Sequence, residues 1–452
     1  MSPNVAGANP FLEKWAVTIL MITLFLTPLI GYGAAKSLKV YANDVNQWLP
    51  KGFDEAKNYY WFQENFGVDE MVVASWDGCT LTNRAVVDFE LALEKLQENG
   101  VPIFDRVVSG PEMMQEIQDV GCSEQTAFER IRGLVVGRDG ETTCVMAFPR
   151  SHMKNERLKI VNLVRDTAAE HLGIDRNELK LGGPTADGAA IDYESKRSLD
   201  QFMGLTVLVV FLLTWFRMKN LGMSFVVLVF SIFCAAISLA ILFYTGGRMN
   251  LTMVMLPTLT FIMGVSACVH MANYYRKALA QGMGSLAADA AINDGGWPVM
   301  LSSLTTAVGL MSLGTSQVVP IKLFGLYSAL GVLCGLPVVL LVMPAAMYVC
   351  HGTVIGRDSK KSIAKREQVS GVSRNTSIAV NWVYRSHWWV VIPTLAALVA
   401  LSIGISKLKA SVKLQNRFSA RTQIMQDYNW LETRLGPLVP MEVVLRFDKE
   451  NE

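Results

Sequence analysis

The chain has 452 residues, 51% of them hydrophobic and 18% charged, and a formal net charge of +2. Its mean hydropathy of +0.30 is high for a soluble protein of this length and points to a membrane protein. The basic residues follow the topology and are not gathered into a patch, so the net charge gives no sign of a nucleic-acid partner and none is expected; four of the seven cysteines (Cys234, Cys268, Cys334, Cys350) lie in apolar runs that suit neither a disulfide scaffold nor a metal site.

Residues 1–13 read as a cytoplasmic N-terminus and 14–35 as the first transmembrane helix. That helix is too long, and too poor in preceding basic residues, to be a cleavable signal peptide. Residues 36–198 are ordinary soluble-looking sequence and form an α+β domain. It opens with the turn-rich segment Asp44 to Phe53 and a predicted helix from Asp54 to Phe66, stopped by Gly67. Strands are predicted at 70–76, 103–108, 134–137, 142–148 and 178–181, with helices at 83–99 and 154–172 and helical material at 111–132. The core of this order, strand, helix, strand, strand, helix, strand, is the split βαβ arrangement, an antiparallel sheet with helices on one face. Nothing in the domain has the spacing of a catalytic carboxylate pair, a nucleophile motif or a metal site, so the chain reads as a non-enzyme needing no metal or cofactor. Cys79, Cys122 and Cys144 lie here, and spacing does not choose a pair among them.

After Gly182-Gly183-Pro184, the charged helix predicted at 187–200 runs unbroken into the second span. Spans two to six occupy 199–350, at approximately 199–216, 221–245, 251–275, 297–316 and 321–350. A basic linker follows at 351–387, then a seventh span at 388–406, and residues 407–452 begin a second external domain. Basic residues gather in alternate loops: Arg217 and Lys219, then Arg276 and Lys277, then Arg357 to Arg385. The N-terminus is therefore expected inside and residues 36–198 outside.

Span four carries the candidate site. Leu251 to Tyr275 holds no formal charge, yet Ser266, His270 and Asn273 fall at i, i+4 and i+7, one stripe on one helix face, behind Gly264. Polar groups at bilayer depth face other helices or a wet cavity, so the stripe reads either as interhelical glue or as a substrate or ion path. Spans five and six carry small-residue faces, Ser302, Thr306 and Gly309, then Ser328, Gly331 and Gly335, which read as helix-packing seams. Between spans four and five, residues 276–296 read as a short amphipathic segment on the membrane surface, with Asp289 and Asp294 toward the cytoplasm. Gly295-Gly296-Trp297-Pro298 is expected to turn it into span five.

An internal repeat closes the chain. Trp61-Phe62 with Phe66-Gly67 matches Trp430-Leu431 with Leu435-Gly436; Met71-Val72-Val73 matches Val443-Val444, and Leu38-Lys39 matches Leu408-Lys409. Residues 380–452 thus repeat 8–75 at a period near 370, which predicts that a second, C-terminal repeat of the same polypeptide belongs with the chain.

Three segments carry a family resemblance: GGPTADGAAIDYES at 182–195, MGVSACVHMANYYR at 263–276, and 298–345, which opens PVMLSSLTTAVGLMSLG. With one span, a large outer domain and five close spans, they resemble permeases of the resistance-nodulation-division superfamily. The likeness is strongest to the branch of mycobacterial membrane protein large and hopanoid exporters, and more distant to sterol-sensing proteins. The resemblance implies a polytopic α-helical bundle of one plus five spans and then a seventh, with a ferredoxin-like extracytoplasmic domain. It also implies a multi-pass protein of the bacterial inner membrane that exports a lipid or amphipathic small molecule against protons, the domain on the periplasmic side, with a homo-oligomer admitted. Related exporters usually place an aspartate where this chain has Ser266, which leaves His270 as the protonatable group of the stripe. The alternative function is a sterol-sensing-like lipid sensor or scaffold, or a protein-translocation accessory.

Overall fold

The computed structural model describes residues 11–39, 41, 48–50, 52–66, 70–150, 152–153, 156–351, 381–405 and 422–437. The basic residues from Arg357 to Arg374, Gly67, Leu408-Lys409 and Val443-Val444 lie outside them.

The first helix, α1 (Phe11–Ser37), is followed by α2 (Asp54–Phe66) and then by the outer domain. In order, its elements are β1 (Val72–Ser75), α3 (Arg84–Glu94), a small hairpin of β2 (Gln97–Glu98) and β3 (Val101–Pro102), and β4 (Phe104–Ser109). Then come α4 (Gly110–Asp119), α5 (Glu124–Ile131), β5 (Val145–Pro149), α6 (Arg157–Leu172) and β6 (Lys180–Gly182). The main sheet is antiparallel, ordered β4-β5-β1-β6, with Val73 opposite Met146 on one side and Gly182 on the other. Because side chains alternate along a strand, β1 serves two cores. Val72 and Ala74 face Phe89 and Leu93 of α3 and Ile160 and Val164 of α6, whereas Val73 faces Ile131, Val135 and Cys144.

Two predicted elements differ. The helix expected to reach Asn99 ends at Glu94, because Asn99 and Gly100 both take positive φ and close the β2–β3 hairpin. The strand expected at 134–137 is only a pair of isolated bridges, Arg132 to Val136 and Val136 to Thr143. The outer-domain cysteines are free: Cys79 lies in the core on the helical face of the sheet and Cys144 in the core behind it.

The sheet passes directly into the membrane. Gly183 (φ 91°) lies where a Cβ would meet the Met71 carbonyl oxygen at 2.8 Å, and the chain then enters α7 (Pro184–Met218), one helix of 35 residues. The remaining spanning elements are α8 (Leu221–Tyr244), α9 (Met255–Ala280), α10 (Ala287–Met311), and a sixth span built from α11 (Val319–Pro337), a π-helical turn at Val338–Val342 and α12 (Met343–Val349). Next follow α13 (His387–Ile405) and α14 (Gln423–Arg434). Among the described residues seven helices are long and apolar enough to cross a membrane, so the chain is a largely helical polytopic membrane protein with small β-sheets. Large apolar side chains such as Phe25, Phe216 and Trp389 are exposed on these helices, as a lipid-facing surface requires.

The segment between spans four and five is not a surface helix turned by glycines. Helix α9 continues to Ala280 and α10 runs unbroken through Gly295-Gly296-Trp297-Pro298. The glycine serves contact instead: a Cβ at Gly295 would stand 2.5 Å from the ring of Tyr274. Leu279, Ala287, Ala288 and Ala291 are buried in the bundle core, and buried Asp289 accepts the Leu12 backbone N–H at 3.1 Å, capping the start of α1.

Candidate functional site

Helix α9 stands at the centre of the bundle, packed on α8, α10 and α11. Its contact face is made of small residues. A Cβ at Gly264 would lie 3.2 Å from Cys234 Cβ and 3.3 Å from Ser231 Cα, so Gly264 sets the approach of α9 to α8. One turn and more away, Thr260 and Ser238 hydroxyls pair at 3.0 Å, over Gly331 of α11. Ser328 is buried and Gly335 lies against Cys234, so the face of α11 read as a seam is closely packed. On α10 beyond Pro298 the buried small residues are Ser303 and Ala307. Ser302 and Gly309 are exposed and Thr306 is half-buried.

The polar stripe of α9 is on the opposite side from these contacts. Ile262, Ser266 and His270 are exposed and Asn273 is half-buried, a continuous line along the helix face turned away from α8, α10 and α11. Lipid is a poor neighbour for serine, histidine and asparagine side chains, so this face suits contact with protein or water.

The stripe is continuous with a groove. Between α7 and α9 a cleft of about 880 Å³ is lined by Leu199, Phe202, Met255, Leu259 and Ile262, with Glu194, Ser195, Arg197 and Ser198 at its rim. Ile262 closes its apolar end one helical turn before Ser266. A second cavity of about 890 Å³ lies in the outer domain between α6, β6, α7 and α14, and its walls include Arg165, Arg176, Asn162, Tyr193 and Gln423. Glu194, Arg197 and Thr422 belong to both linings, so the cavities adjoin at this collar. Arg197 and Glu194 form an ion pair there at 3.6 Å. The apolar cleft with few polar rim groups has the character of a site for an amphipathic molecule.

The collar was not legible as a site. Glu194 and Arg197 lie in the charged helix predicted at 187–200, to which no site was assigned, and the third contributor, Thr422, lies 228 residues from Glu194 in sequence (422 − 194). Among the described residues no cluster of histidine, cysteine or carboxylate side chains could hold a metal ion.

The model of the MMPL family matches residues 90–404, which is 315 residues (404 − 90 + 1) and more than half of the chain. No curated protein matches it.

Proposed function

The chain belongs to the MMPL family of multi-pass membrane transport proteins, and from that premise we propose that it is a secondary exporter of a lipid-like or amphipathic substrate in a bacterial inner membrane. The observation that carries this reading is the continuity of groove and stripe: an apolar cleft at the outer end of α7 and α9 leads to Ile262, and Ser266, His270 and Asn273 continue the same face of α9. In this proposal the cleft takes the apolar part of the substrate, the collar of Glu194 and Arg197 meets its polar part, and the outer-domain cavity receives it.

Protons are the coupling ion in this reading. Ser266 holds no exchangeable charge near neutral pH, so His270 is the carrier on the stripe, with Ser266 and Asn273 beside it on the same helix face. We further read residues 36–198 as periplasmic and the outer domain as ferredoxin-like, the latter supported by the strand order β4-β5-β1-β6 with α3 and α6 on one face. The seven spans and the motifs at 182–195 and 263–276 support the lipid-exporting branch.

The test is initial proton-driven efflux of a fluorescent amphiphile from vesicles between about pH 5.5 and 8, normalised to folded protein, for wild type and His270→Ala. Loss of efflux in the variant is expected. Equal normalised rates across the range would remove His270 from the mechanism.

A further inference from the structure

Helix α14 follows the seventh span, yet it is built into the outer domain formed by residues 72–182. Its two ends are held by different chemistry. At the C-terminal end Leu431 and Leu435 are buried against Val73, Val135, Val136 and Cys144. The approach is close: a Cβ at Gly137 would stand 2.2 Å from the Arg434 carbonyl oxygen.

The N-terminal end is held mainly by polar contacts, with Ile424 packed at the edge of the core on the helical face of the sheet. Asp427, fully buried, accepts from Gln423 Nε2 (2.8 Å), Arg165 Nη2 (3.2 Å) and the Leu181 backbone N–H (3.4 Å), and pairs with Lys180 Nζ at 3.6 Å. The Gly183 N–H donates to Tyr428 Oη at 3.3 Å, and that hydroxyl donates to Asp187. Gly183 and Asp187 are the N-cap and the first turn of α7, the helix that becomes the second span. The same N-terminal turn of α14 supplies Thr422, Gln423 and Ile424 to the cavity wall, and Thr422 also lines the groove.

Apolar contacts lose their whole benefit when water enters, whereas polar contacts can be exchanged for hydration, even a buried ion cluster when all of its members become wet together. The C-terminal half of α14 is therefore an anchor and the N-terminal half a releasable end. We infer that α14 is a hinged wall of the outer-domain cavity, pivoting about Leu431 and Leu435, with Asp427 and Tyr428 as the latch that closes it against β6 and the start of α7. Release widens the collar shared by groove and cavity. The wall stands on contacts in the outer domain alone; its use as a gate rests on the proposed function.

The full-length protein in native membranes tests it, with Ile424→Cys placed in the cavity wall and Cys122 replaced by serine. Labelling by a charged, membrane-impermeant maleimide is followed with time. Asp427→Asn is expected to speed labelling at position 424 about tenfold, and Tyr428→Phe by a smaller factor, while Cys79, fully buried within the core at whose edge Ile424 sits, stays unreactive. An unchanged rate at 424 in Asp427→Asn would overturn the hinge. So would equal acceleration at Cys79, which would mean that the domain opens as a whole. A gate is then tested by bridging Asn177→Cys to Gln423→Cys, whose parent residues share a hydrogen bond of 3.2 Å from Gln423 Nε2 to the Asn177 carbonyl, with a bifunctional maleimide. Loss of amphiphile efflux on bridging is expected, and undiminished efflux would overturn the gate. Absence of efflux before bridging would instead count against the proposed function, because the labelling rates judge the wall without it.

Discussion

Replacing Gly331 by alanine isolates the packing of α11 in the bundle. The added methyl would lie 2.7 Å from Ser238 Cβ and 2.8 Å from Thr260 Cγ2, about 1 Å inside normal carbon contact on two neighbours at once. Neither neighbour can swing aside easily: Ser238 Cβ is fixed to the backbone of α8, and Thr260 is β-branched and bonded to Ser238 at 3.0 Å. Overpacking of this kind costs about 1–3 kcal/mol, and here the upper part of that range applies. Helix propensity returns up to about 1 kcal/mol, so the net loss is about 1–2 kcal/mol. Gly309→Ala is the matched control, because no atom lies within 4 Å of its added methyl and only the propensity gain remains. The two variants should therefore differ by about 2–3 kcal/mol in stability. The assay is the fraction of monodisperse protein surviving a temperature series in mild detergent, where Gly331→Ala should fall several degrees earlier than wild type and Gly309→Ala no earlier. Equal stability of Gly331→Ala and wild type would refute the packing argument. Equal loss in both variants would mean that Gly309 is covered by a surface outside this bundle.

Three further outcomes are expected. Asp289→Ala should cost about 1 kcal/mol by uncapping α1, while Asp289→Asn keeps most of it; thermal stability in detergent and protease cutting before Leu12 measure both. Glu90, buried and bonded to Ser109 N–H and Oγ, has its carboxyl pushed by burial and by the neighbouring Glu112 up to about 8 from an ordinary 4.5. The folded state then keeps a proton that the unfolded chain has released. Its stability contribution is whole below about pH 4.5 and declines by on the order of 1 kcal/mol per unit as pH rises toward 8. Hydrogen exchange in β1 and β5 should quicken over that window, and Glu90→Gln should flatten the trend. Finally, a cysteine at Leu91, which is exposed on α3, should react with impermeant maleimide from the outside of intact cells. Labelling only after the cytoplasm is opened would reverse the topology.

Seven apolar helices and an antiparallel sheet were legible because each carries its own local signal. Apolar length marked the helices, and the Gly182-Gly183-Pro184 break and the short strand-forming runs marked the domain. The β2–β3 hairpin was also written locally, in Asn99-Gly100, but the apolar spacing from Val86 to Leu96 spoke for a longer helix. At Gly295-Gly296-Trp297-Pro298 the residues do favour a break, and only the closeness of Tyr274 explains why a helix keeps them. Asp289 as a cap for Leu12, and Asp427 as a partner of Arg165, join residues 277 and 262 positions apart, distances over which no pattern in one sequence speaks. The stripe of Ser266, His270 and Asn273 was legible as a helix face. Its direction was not, because that depends on which side of α9 the other spans occupy.

The π-helical turn at Val338–Val342 gives the sixth span a register of its own. Such a turn holds one residue more than the α-helical turn it replaces, so everything after it is rotated by about 100° relative to an uninterrupted helix. Upstream, Ser328, Gly331 and Gly335 address α8 and α9; downstream, Met343, Ala345 and Met347 are buried with Leu12 and Ala16 of α1. The span behaves as two half-helices offset by an accommodated insertion. Deleting one residue between Pro337 and Met343 would barely shorten it, yet would re-aim the entire inner half away from α1. By the same geometry, a relative lacking the turn should align with this chain only after a one-residue gap there.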